Sequence, residues 1–89
     1  MNDELQTLTA SEPLVNLLTH YAERTAPDRQ AWHARFMRLD RCEPRDLSKL
    51  HGKLIAFGWL EQNTGVLPSC YRATRAGMKA LDEARSDRV

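Results

Sequence analysis

Cysteine is scarce: Cys42 and Cys70 are the two in 89 residues, and no Cys-x-x-Cys or Cys-x-x-His element surrounds them. That spacing excludes a zinc knuckle and a thioredoxin-like pair, and leaves free, reduced thiols as the expectation, with a Cys42–Cys70 bridge as the alternative. His20, His33 and His51 form no His-x-x-x-His pair, so no metal site is expected. Glycine, at four residues, builds neither a Gly-x-Ser-x-Gly elbow nor a phosphate cradle around Ser69, Cys70 or His51. The chain is also too short for a catalytic domain with a separate lid or cofactor module. A binding protein rather than an enzyme is expected, with no cofactor. Long apolar runs are missing too, which argues against a membrane span, and Met1-Asn2-Asp3-Glu4 does not begin a basic-then-apolar leader. The expected location is cytoplasmic.

What is present is a divided charge. The formal net charge of +1 conceals an acidic front, with Asp3, Glu4, Glu12 and Glu23 and no Lys or Arg before Arg24, and a basic middle over residues 24–79. A basic middle suits a phosphate backbone and the acidic front does not. The alternative is an ordinary solvated surface whose charges happen to segregate.

Apolar periodicity divides the chain into elements. Residues 1–10, with Leu5 and Leu8, read as a flexible or partner-contacting lead-in. Ser11 before Glu12 and Pro13 is a helix-start signal, and Leu14, Leu17, Leu18 and Tyr21 hold one face of a helix over about 11–24. Thr25-Ala26-Pro27-Asp28 looks like a capping box, and Trp32, Phe36 and Leu39 follow at i, i+4 and i+7, which predicts a second helix over about 28–39. Trp32 and Trp59 are read as core residues, and Arg29, Arg35, Arg38 and Arg41 as a solvated fringe, with extension of a nucleic-acid-contacting basic patch as the alternative. Pro44 opens a third helix over about 44–57, with Leu47, Leu50, Leu54 and Phe57 on its buried stripe. Its other side offers Arg45, Ser48, Lys49, Gly52, Lys53 and Ala56, a small and basic face. The three histidines are expected to be structural or exposed; for His51, at the edge of that helix, the alternative is a phosphate contact or a pH-sensitive role.

Gly58 stands where a left-handed helix-ending residue belongs, and Trp59 leads into a strand over about 59–62. The turn residues of Asn63 to Pro68 then let a second strand, about 69–73, return antiparallel as a two-stranded ribbon. Thr74 is placed to cap a last helix over about 75–85, before a frayed tail at 86–89. The expected domain is thus 11–85, mainly α with a two-stranded β wing.

Leu47-Ser48, Leu54 and Gly58, followed by Tyr71, Thr74, Gly77 and Leu81 in the pattern Tyr-x-x-Thr-x-x-Gly-x-x-x-Leu, resemble the winged helix-turn-helix superfamily, most closely small bacterial regulators of the MarR and PadR type. The resemblance covers roughly residues 28–84. It implies a DNA-binding transcriptional regulator whose recognition helix is 44–57. Arg45, Ser48, Lys49 and Lys53 would enter the major groove, and Gly52 would allow close approach. Arg41 would hold a phosphate, while Arg72 and Arg75 would clamp the flanking backbone. Double-stranded DNA is the implied partner, and a homodimer through Leu5, Leu8 and the acidic first helix would match symmetric sites.

The pattern departs from that reading at the wing tip. Residues 63–68 contain no Lys or Arg, and Val66 and Leu67 are apolar where water should meet them. The competing expectation is therefore a protein-interaction module of the same fold, docking a partner through Val66, Leu67 and the amino-terminal helix. An RNA-binding winged helix comes third.

Overall fold

A computed structural model describes residues 11–28, 30–39, 42–65 and 68–86. They form, in order, α1 (Glu12–Thr25), β1 (His33–Ala34), α2 (Pro44–Ala56), β2 (Leu60–Asn63), β3 (Cys70–Ala73) and α3 (Arg75–Ser86). The strands make one antiparallel sheet in the order β1-β3-β2. The lead-in at 1–10, Arg41, the wing-tip pair Val66 and Leu67, and residues 87–89 lie outside the described residues.

The helix expected over 28–39 is not formed. In its place His33 and Ala34 pair with Tyr71 and Cys70, so the ribbon is the larger part of a three-stranded sheet. The residues needed to start and build that helix are engaged elsewhere. Thr25, meant as its cap, is the last residue of α1 and almost fully buried, and its Oγ1 accepts from the Ala73 N–H at 3.1 Å. Ala73 is in β3, opposite Leu60 and past the end of β1, so Thr25 supplies the acceptor a longer β1 would have provided. The Phe36 N–H donates to Tyr21 Oη at 2.7 Å, which removes a further helical hydrogen bond. A three-turn helix is marginal by itself, and tertiary bonds of this kind override its periodicity.

The other elements follow their local chemistry. Ser11 caps α1, with Oγ accepting from Leu14 N. At the end of α2, Gly58 has φ +79°, Trp59 N–H donates to Leu54 O at 2.9 Å, and Gly58 N–H donates to Ile55 O at 3.0 Å. These are the two bonds of a Schellman ending, which only a residue at ease with positive φ can close. Trp59 and Leu54 are both buried there, so the same turn that stops the helix delivers the chain into β2.

The Tyr71, Thr74, Gly77, Leu81 pattern has a structural reason at each position. Tyr71 and Leu81 are buried. Thr74 Oγ1 accepts from Gly77 N–H at 2.9 Å, capping α3, and donates to Gly58 O at 2.6 Å. A Cβ on Gly77 would sit 2.9 Å from the Trp59 carbonyl carbon and closer still to its oxygen, so α3 can approach β2 only with glycine there. The core lies between α1, α2 and α3 and one face of the sheet, and includes Leu14, Leu17, Leu18, Tyr21, Leu47 and Leu54.

Candidate nucleic-acid interface

α2 sits on the core through Leu47, His51 and Leu54, with Leu50 and Phe57 only partly buried at the margin. This fixes which side faces out. At 100° per residue, Arg45, Lys49 and Lys53 fall at successive i+4 steps on the opposite side, and all three are exposed. Eight residues of helix place the two ends of this ridge about 12 Å apart. Ser48, Gly52 and Ala56, also exposed, run beside it, and a Cβ on Gly52 would meet nothing within 4 Å. Arg45 makes a loose ion pair with Glu43 at 3.8 Å, with both side chains mostly in water. Lys49 and Lys53 have no ion-pair partner among the described residues, although Asp46 shares with them a shallow depression floored by Pro13, Cys42 and Leu50.

His51 does not reach the surface. Its position, four residues after Leu47 and three before Leu54, is a core position, and it is 3% exposed. Nδ1 lies 2.8 Å from the Leu47 carbonyl and must donate to it, which leaves Nε2 as an acceptor for the Tyr21 hydroxyl at 2.8 Å. Tyr21 Oη in turn accepts from Phe36 N–H. The chain of bonds is complete only with a neutral imidazole. Burial pushes the His51 pKa below its ordinary 6.5, and pushes the Tyr21 hydroxyl up to about 12. Beside them, His20 stacks on Phe36 with ring centroids 3.6 Å apart, and burial, with Arg24 adjacent, lowers its pKa too. Of the two roles open to His51, the structure therefore has not the phosphate contact but the structural one. The signal for it was the 47, 51, 54 spacing, which an apolar-only count passes over.

Arg72 lies elsewhere than on the ridge. Tyr71 packs on the core side of the sheet, its ring 5.1 Å from that of His51, and neighbouring strand residues point to opposite faces. Arg72 is thus on the outer face, away from α2. Its Nε donates to Glu61 Oε2 at 2.8 Å, its Nη1 donates to Gln30 O at 3.2 Å, and its guanidinium carbon stands 4.1 Å above the Trp32 ring. Trp32, expected in the core of a helix, is half-buried under that cation instead. Arg75, the first residue of α3, is exposed directly after Thr74, whose bond to Gly58 holds it near the end of α2. Arg45, Ser48, Lys49, Gly52 and Lys53 are brought together; Arg72 is not.

Protein-family models, curated proteins and solved structures give no match to this chain. Its chemistry has to be read from the site. Among the described residues no group of His, Cys, Asp or Glu could hold a metal ion, and no helix is long and apolar enough to cross a membrane. Cys42 and Cys70 are free and half-buried.

The structure brings one arginine of the fringe to the side of α2. Arg35, immediately after β1, donates from Nη2 to Ser48 Oγ at 3.0 Å and so joins the small-residue side of the ridge. Nothing in the local pattern could place it there, because the contact depends on residues 31–39 being extended.

Proposed function

We propose that this chain is a winged-helix protein that binds duplex DNA as a transcriptional regulator, with α2 as the element entering the major groove. The observation that carries the reading is the ridge of Arg45, Lys49 and Lys53, exposed, lightly paired and bordered by Ser48, Gly52 and Ala56. Cations there can anchor phosphates, and the small side chains let the helix come close to base edges. The element order supports the same reading: a helix ends in a Schellman turn and runs straight into an antiparallel ribbon whose third strand comes from before the helix. The helix-turn-helix part is incomplete, because the segment before α2 is extended rather than helical.

The role is one of binding, not catalysis, and is exercised in the cytosol. Phosphate anchoring makes affinity fall as salt rises, with about 0.9 units of log–log slope per phosphate neutralised. Titrating the protein with a random-sequence duplex at rising salt should give a slope of about two to three. A flat response, or no binding at low salt, would overturn the reading.

A second reading draws on Met37, 66% exposed, and Ile55 at the outer edge of α2. Large apolar side chains in water suit a module that docks another protein. It would explain a chain that ignores DNA at every salt concentration.

A further inference from the structure

Among the described residues, Arg35 is a fixed cation whose side chain meets two acceptors. The main chain is pinned on both sides, since Ala34 pairs with Cys70 in the sheet and the Phe36 N–H is held by Tyr21. The side chain is held as well: Nη2 donates to Ser48 Oγ at 3.0 Å, and Nη1 approaches Met37 Sδ at 3.4 Å. A guanidinium carries five N–H donors, and a hydroxyl and a thioether occupy only two of them without touching its charge. Among the described residues the ion pairs are Arg45–Glu43 and Arg72–Glu61, and no carboxylate of those residues pairs with Arg35.

Its setting separates it from Lys49 and Lys53. Those two extend from α2 with no described residue fixing their ammonium groups, which is adequate for a phosphate, a charge that accepts approach from many directions. Arg35 is oriented by Ser48 and lies on the flank where Gly52 leaves open space. A planar donor fork held in one orientation beside a shallow surface suits directional readout of a base edge, and the edge that accepts such a fork is that of guanine, through O6 and N7.

We infer that Arg35 is a specificity-determining residue of the DNA interface, reading a guanine while Ser48 positions its guanidinium. This rests on the duplex-binding role of α2 proposed above.

The test selects duplexes from a randomised pool with the full chain and with two variants, Arg35→Gln and Ser48→Ala. The wild type should enrich a motif containing a G·C pair that Arg35→Gln changes towards A·T, because glutamine matches adenine. Discrimination at that pair should fall roughly five- to hundredfold. Ser48→Ala should weaken the preference at the same pair, and for both variants the loss of affinity should be at least about fivefold greater for duplexes carrying that pair than for unselected duplex at low salt. Arg35→Gln with the wild-type motif intact would overturn the inference. So would a loss shared by all sequences with a salt slope about one unit lower, the mark of a phosphate anchor. Wild-type protein that binds duplex but enriches no motif also overturns it while sparing the DNA reading, whereas protein that binds no duplex removes that reading itself.

Discussion

Two cationic regions of this molecule carry similar residues and differ in what surrounds them. On the outer face of the sheet, Arg72 is held by Glu61, by the Gln30 carbonyl and by the Trp32 ring. On α2, Lys49 and Lys53 stand in water without an ion-pair partner among the described residues, and Arg45 has a long pair with Glu43. A cation whose charge is already met stabilises the fold that meets it. One that is not met is available to a partner outside the molecule. Counting basic residues along the middle of the chain merges the two groups; their neighbours divide them.

The comparison can be broken or sharpened by variants that should act on one property and not the other. The largest effect is expected beneath the ridge, where Leu54 is fully buried. Leu54→Ala should cost about 2–5 kcal/mol in chemical denaturation, through lost burial and the cavity left behind, and should weaken DNA binding only as far as it unfolds the protein. Tyr21→Phe comes next. It leaves His51 Nε2 and the Phe36 N–H without their partner, at about 1–3 kcal/mol, also read by denaturant melts.

The paired contrast is Lys49→Ala with Lys53→Ala against Arg72→Ala. The double lysine variant should lower the salt slope of duplex binding by about two units and leave stability within about 0.5 kcal/mol. Arg72→Ala should do the reverse, costing about 1 kcal/mol through the lost stacking on Trp32 and its hydrogen bonds, with the slope unchanged. Equal slopes for the double variant and the wild type would erase the distinction between the regions.

The smallest effect is a pH dependence. The folded-state pKa of His51 is lowered by burial, so between that value and its ordinary 6.5 the unfolded chain binds the extra proton and stability rises with pH. The contribution is complete above about pH 6.5 and is lost as the pH falls towards the folded value. His20, also lowered, acts with the same sign. Denaturation midpoints measured from pH 8 down to pH 5 should be level at first and then decline, and His51→Leu should flatten part of that decline.

Much of the architecture is legible in the sequence. Ser11, Pro44, Gly58 and Thr74 each act within a few residues of themselves, and each sits at the helix boundary expected of it. Leu47 and Leu54 are inside, and the ribbon pairs antiparallel from Leu60 with Ala73 to Asn63 with Cys70. The exposed face of α2 followed directly, because a helix with three core contacts has only one side left for solvent. Residues 28–39 depart from their helical apolar spacing because the groups that hold them extended come from α1 and β3. The bond of Arg35 to Ser48 is illegible in the sequence for the same reason, since it exists only when that segment is not a helix.

Local chemistry written in the chain therefore determined where three helices start and stop, where the ribbon turns and which side of α2 faces outward, since caps, Schellman turns and periodicity act over one or two helical turns. The tertiary structure alone decided that residues 33–34 become a strand, that His51 is a core acceptor and that Arg72 is occupied while the lysines are not. The deciding bonds, Phe36 to Tyr21, Tyr21 to His51 and Ala73 to Thr25, join residues 15, 30 and 48 apart, and partners that distant come together only once the chain has folded.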